Sequence, residues 1–187
     1  MKTIKWIVGI LVALVLLGYF VGMPYLREQT KKISPERTST YIQNGFDLKV
    51  TYSSPSKKDR KIFGGLVPYE KVWRTGANEP TTFSTATDIK VGGQNLQKGS
   101  YSLWSIPGPN QWTVIVNSEI PDWGVTLSSM GRKTTRNPEK DVLQITVPVI
   151  HTEQLQEDLK IEFVSQEELL YLQLAWDDVQ VRTPLNQ

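Results

Sequence analysis

From Trp6 to Met23 the chain reads WIVGILVALVLLGYFVGM, 18 residues without a charge. At about 1.5 Å per helical residue this run covers ~27 Å, close to the apolar thickness of a bilayer. Trp6, Tyr19 and Tyr25 stand near its two ends, where amphipathic rings favour the membrane interface. The pattern predicts an uncleaved transmembrane anchor over 6–23, between a cytoplasmic tail over 1–5 and a polar stalk over 24–37. The rival reading is a cleaved signal peptide, for which the run is long and lacks a following pair of small residues. Lys2 and Lys5 flank one side, and Arg27, Lys31 and Lys32 the other, so the basic flanks do not fix the orientation. The short leading tail favours leaving it in the cytoplasm and the rest of the chain outside.

After residue 37 the period changes to two. Phe46, Leu48, Val50 and Tyr52 alternate with Asp47, Lys49 and Thr51, the pattern of a half-buried strand. Asn44-Gly45 before it tolerates positive φ at both positions, which predicts a tight hairpin with a strand over 38–42. Further strands are expected over 81–86, 88–91, 101–106, 111–117, 141–149, 159–164, 170–176 and 179–183. Pro107-Gly108-Pro109-Asn110 serves as a second hairpin loop. Helix signals are thin, one or two turns over 152–158 at most. Near ten short strands predict an all-β, antiparallel sandwich or jelly roll over 38–183, with 184–187 as a tail.

Charge qualifies this picture. The formal net charge of +2 comes from the first 32 residues, with five Lys/Arg against one acid; the remaining 155 carry 16 basic and 18 acidic residues. Residues 33–140 are net +5 and residues 141–187 net −7, so the two stretches are expected to neutralise each other once packed. The basic residues are scattered, which argues against nucleic acid as a partner. There is no cysteine, hence no disulfide, thiolate metal site or thiol nucleophile.

The densest chemistry lies over 57–84, KKDRKIFGGLVPYEKVWRTGANEPTTFS. Trp73 offers a stacking face, Arg60 and Arg74 can fork onto a carboxylate or phosphate, and Asn78 and Glu79 can orient a polar ligand. The plainer reading is structural and is preferred. Arg74 and Glu79 pair with each other, Trp73 plugs the core, and Asn78 holds the loop through backbone bonds.

The strings Arg60-Lys61-Ile62-Phe63-Gly64, Leu66-Val67-Pro68-Tyr69 and Val72-Trp73-Arg74-Thr75-Gly76-Ala77-Asn78-Glu79 resemble the signature of the domain of unknown function 2911. The likeness continues through residues 99–108, 112–117 and Trp123-Gly124 and covers roughly 40–183. Ser54 and Asp59 depart from it, standing where the family often has Arg and Gly. The resemblance implies a bacterial, exported domain and no assigned activity. With the anchor, it implies a single-pass protein of the bacterial inner membrane, its domain in the periplasm or outside the cell.

Catalytic constellations find little support. His151 is the only histidine, no G-x-S-x-G occurs, and both nucleotide-binding glycine loops are missing, so no cofactor or metal is expected. Glu70, Glu79, Glu119 and Asp122 are candidates for acid/base work on a glycosidic bond. Trp104, Trp112 and Trp123 would form a glycan-stacking platform if exposed together, although burial of at least two is the stronger expectation. Two functions therefore stand: a binding or interaction module of the cell envelope, with a glycan or protein partner, and a carboxylate-dependent hydrolase of envelope glycan. The first is favoured, with Arg60, Trp73, Arg74, Asn78, Glu79 and Trp104 as its candidate binding residues.

Overall fold

A computed structural model describes residues 2–126, 129 and 131–187. The chain divides into a helical unit over 1–33 and a β-unit over 34–187.

In the helical unit, α1 (Lys2–Leu17) runs through a π-helical turn, Gly18–Gly22, into α2 (Met23–Ile33). Pro24 explains the widened turn. A proline in a continuing helix lacks a donor and crowds the carbonyl four residues back, which here is that of Phe20 inside the π-turn. The segment read as a stalk is helical as far as Ile33, in keeping with the good helix formers of its Arg-Glu-Gln-Thr-Lys-Lys run. Ile4–Ile33 is long and apolar enough to cross a membrane, a test that a signal sequence also passes.

The β-unit is mostly antiparallel sheet, and its described residues form nine strands. They are β1 (Glu36–Gln43), β2 (Phe46–Ser53), β3 (Thr81–Thr85), β4 (Ile89–Val91), β5 (Gln94–Leu96), β6 (Gly99–Ile106), β7 (Gln111–Asn117), β8 (Asp141–Gln166) and β9 (Leu169–Asn186). The strand order is β1-β2-β3-β6-β7-β8-β9-β4-β5. Asn44 and Gly45 turn the first hairpin at φ 51° and 79°, and Gln43 faces Phe46 across it. Leu48, Val50 and Tyr52 of β2 are buried, as the alternation requires.

The acidic end of the chain departs from the expected short strands. Residues 141–186 form one long hairpin turned at Glu167-Glu168, both at positive φ. Residues 152–158 belong to β8 and are not helical; there the register against β9 slips twice, and Asp177 opposite adopts φ 58°. These bulges bend the hairpin so that it serves two layers. The first part of β8 pairs with β7, from Asn117 opposite Asp141 to Gln111 opposite Pro148. Its second part returns over β1 and β2: Ser54 Oγ donates to the Leu159 carbonyl at 2.7 Å, and Phe163 packs on Tyr41 and Phe83. Leu48, Val50, Phe83, Leu103 and Trp112 of one layer thus share a core with Ile161, Leu174 and Trp176 of the other. The charge asymmetry is met in the same place, by Arg37–Asp158 and Lys57–Asp177 ion pairs, each at 3.0 Å.

Candidate functional site

Residues 54–80 leave the sheet after β2 and rejoin it at β3, and they carry the WRTGANE string. Gly64, at φ 74°, closes a turn in which its N–H reaches the Val67 carbonyl at 2.9 Å, and Ile62, Phe63 and Val67 dip into the core. Trp73 follows as a plug. Its backbone exchanges two hydrogen bonds with Ser105 of β6, at 2.7 and 2.9 Å. Its ring lies about 6 Å from those of Phe63, Trp112 and Trp176, stacked on the last and edge-on to the others. The indole N–H donates to the Gly76 carbonyl at 3.0 Å, so a buried polar tip is satisfied within the same loop.

Beyond Trp73 the loop is strained. Thr75 holds φ 55° and Asn78 φ 54°. For a β-branched residue such as Thr75 that conformation costs on the order of 1–3 kcal/mol and persists only where surrounding contacts impose it. The contacts are present. Thr75 Oγ1 meets Ser105 Oγ at 3.0 Å, and Thr81 Oγ1 donates to the Thr75 carbonyl at 2.7 Å. Asn78 is buried; its side-chain amide donates to the Ser34 carbonyl at 3.4 Å, and its carbonyl accepts from Gly124 N–H at 3.1 Å.

Arg74 is the residue this framework displays. Its stem lies across Gly124, where a Cβ would come within 2.2 Å of Arg74 Cδ, so only glycine admits the arginine in this position. Its Nε is buried and has no hydrogen-bond partner among the described residues. Among those residues no ion pair reaches its guanidinium either, so the expected Arg74–Glu79 pair does not form. Burial pushes the guanidinium pKa below its ordinary value.

The other candidates are placed as follows. Arg60 is exposed and tied to its own turn, donating to the carbonyls of Lys57 at 2.9 Å and Ser56 at 2.5 Å. Glu79 is half-buried at the end of the Arg74 loop. Trp104 is fully buried, on the face of β6 opposite Leu103, and donates to Ser102 Oγ at 2.8 Å. With Trp112 also buried, these two rings present no stacking surface. His151 lies exposed beside Asp178, at 3.0 Å. No group of three Asp, Glu or His gathers to hold a metal among the described residues.

A second set of residues, which the sequence reading passed over, holds Gly124 in place. Gly124 sits in the connection between β7 and β8. Thr135 N–H donates to the Gly124 carbonyl at 3.3 Å, and Thr135 Oγ1 donates to the carbonyl of Trp123. Next to Thr135, Arg136 forks onto Asp141 at the start of β8, with Nε to Oδ1 at 2.9 Å and a second bond from Nη2 to Oδ2. Asn117 donates to Asp141 Oδ1 at 2.8 Å and to the Asn137 carbonyl at 2.7 Å. Burial raises the Asp141 pKa, but the hydrogen bonds from Arg136, Asn117 and Gln144 outweigh it and hold the carboxyl below its usual range. The only trace in the sequence was the Trp123-Gly124 pair, whose glycine gave no hint of its neighbour.

The family profile described as Protein of unknown function (DUF2911) matches residues 34–185. No curated protein matches the chain, and no solved structure does. The match takes in the Arg74 loop, the Gly124 seat beneath it and every strand of the β-unit, and on that basis the chain belongs to this family of proteins of unknown function.

Proposed function

We propose that this protein is a binding module of the bacterial cell envelope. Its helix tethers it to the inner membrane, its β-domain lies on the far side, and Arg74 captures an acidic group of an envelope glycan. The observation that carries this reading is a half-buried guanidinium with no ion-pair partner among the described residues and a buried, unbonded Nε. A buried donor left without a partner costs about 1–3 kcal/mol, which a bound acceptor would recover. The strain at Thr75 points the same way, since unfavourable backbone conformations cluster at ligand clamps. A carboxylate or phosphate would accept the fork of Arg74 and the orphaned Nε–H together.

The test uses the full-length protein in detergent, with acidic envelope-glycan fragments as ligand and a neutral glucan as control. Binding of the acidic fragments should be lost in Arg74→Gln. It should also be lost in Gly124→Ala, whose methyl group displaces the arginine stem. Undiminished binding by both variants, or equal binding of the neutral glucan, would overturn the proposal.

A further inference from the structure

The β8–β9 hairpin bends sharply enough to bring Arg182, near its base, against Gln173 and Gln166, toward its tip. Arg182 Nε donates to Gln173 Oε1 at 2.8 Å and Nη1 to Gln166 Oε1. Nine residues of straight strand would place Arg182 and Gln173 about 30 Å apart, so this contact measures the fold of the hairpin on itself. Between the two halves lies a cleft of about 490 Å³, a volume typical of small-molecule sites. Pro148, Ile150 and Tyr171 are among its walls, and Arg182 and Glu167 bring charge to it.

We infer that this cleft binds a small organic carboxylate with an apolar body, its carboxylate on Arg182 and its body between Tyr171 and the Pro148–Ile150 wall. Arg182 is held as a receptor would hold it. Gln173, itself only 7 % exposed, and Gln166 fix two of its donors through neutral amide oxygens, which orient the fork without cancelling its charge. No carboxylate pairs with Arg182 among the described residues, although Glu167 lines the same cleft. The remaining guanidinium donors are free to meet a planar carboxylate, the geometry for which arginine is best suited. This site is independent of Arg74.

The experiment is fluorine NMR of 4-fluorobenzoate with the full-length protein in detergent, using 4-fluorobenzyl alcohol as the uncharged control. Line broadening should appear for the carboxylate only. Charge-assisted hydrogen bonds contribute about 1.5–3 kcal/mol, so Arg182→Gln should weaken binding roughly ten- to a hundredfold. Glu167→Gln should tighten it by removing a like charge. Thr146→Trp, at an exposed position on the cleft wall, should abolish it without removing any hydrogen bond, which covers the case in which Arg182→Gln disturbs the hairpin. No broadening by the wild-type protein, equal broadening of the alcohol, or wild-type broadening by Thr146→Trp would each overturn the inference.

Discussion

Removing Arg136 should destabilise the β-domain in a way that depends on pH. Its side chain and that of Asp141 are 11 % and 9 % exposed, so this pair is the most deeply buried of the ion pairs described. In Arg136→Ala the carboxylate would stay buried with only Asn117 and Gln144 as neutral donors. Stripping one member from such a pair costs on the order of 3 kcal/mol, the lower end of the range because those two donors remain. For a domain of this size that corresponds to a fall in melting midpoint of roughly 6–12 °C at neutral pH. The carboxyl pKa is depressed in the folded state, so its contribution is complete above the unfolded value of about 3.9 and is lost as pH falls through the folded value. The gap between wild type and Arg136→Ala should therefore close on acidification. Near-ultraviolet circular dichroism melts of the full-length protein in a zwitterionic detergent, from pH 7 down to about pH 3, measure both quantities. An unchanged midpoint at pH 7, or a gap that persists undiminished in acid, would refute the reasoning.

Two further expectations follow from the site and the anchor. Trp73→Ala empties the centre of the Phe63–Trp112–Trp176 cluster and should cost about 3–5 kcal/mol in a denaturant melt, whereas Arg74→Met, which keeps the stem and discards an unpaired charge, should leave stability unchanged or raised; the reverse order would restore a structural role for Arg74. A phosphatase reporter fused after Gln187 should be active outside the cytoplasm, and activity confined to the cytoplasm would reverse the proposed orientation.

Much of the fold was legible because some signals are local. The Asn44-Gly45 turn and the alternation in β2 need nothing beyond neighbouring residues. The turn at Glu167-Glu168 was hidden, since glutamate is a poor candidate for positive φ and only the pairing of Gln166 with Leu169 imposes it. Residues 152–158 read as a possible helix because their polar run carries no strand alternation, a consequence of bulges that leave most of them facing water. At the candidate site the burial of Trp73 could be anticipated from its size. The missing Arg74–Glu79 pair could not, because left-handed turns at Thr75 and Asn78 lie between two residues that are close in sequence. Arg74 owes its position to Gly124, fifty residues away, and no sequence pattern connects them.

The hairpin that serves both layers also sets the order in which the molecule can be completed. It follows every other strand along the chain, yet β7 has no partner on one side until β8 arrives, and half the core is exposed until the hairpin bends over it. Pairings between segments so far apart along the chain are slow to form, because loop closure must precede any gain from contact. During synthesis the first six strands to emerge after the N-terminal helix, β1, β2, β3, β4, β5 and β6, and then β7, must wait with an open edge that invites pairing with another copy. If the helix tethers the chain as proposed, this interval gains a second significance. A chain held at a membrane meets fewer copies of itself from all directions but more in the plane, so crowding of nascent molecules there, more than their final stability, would govern how many reach the closed form.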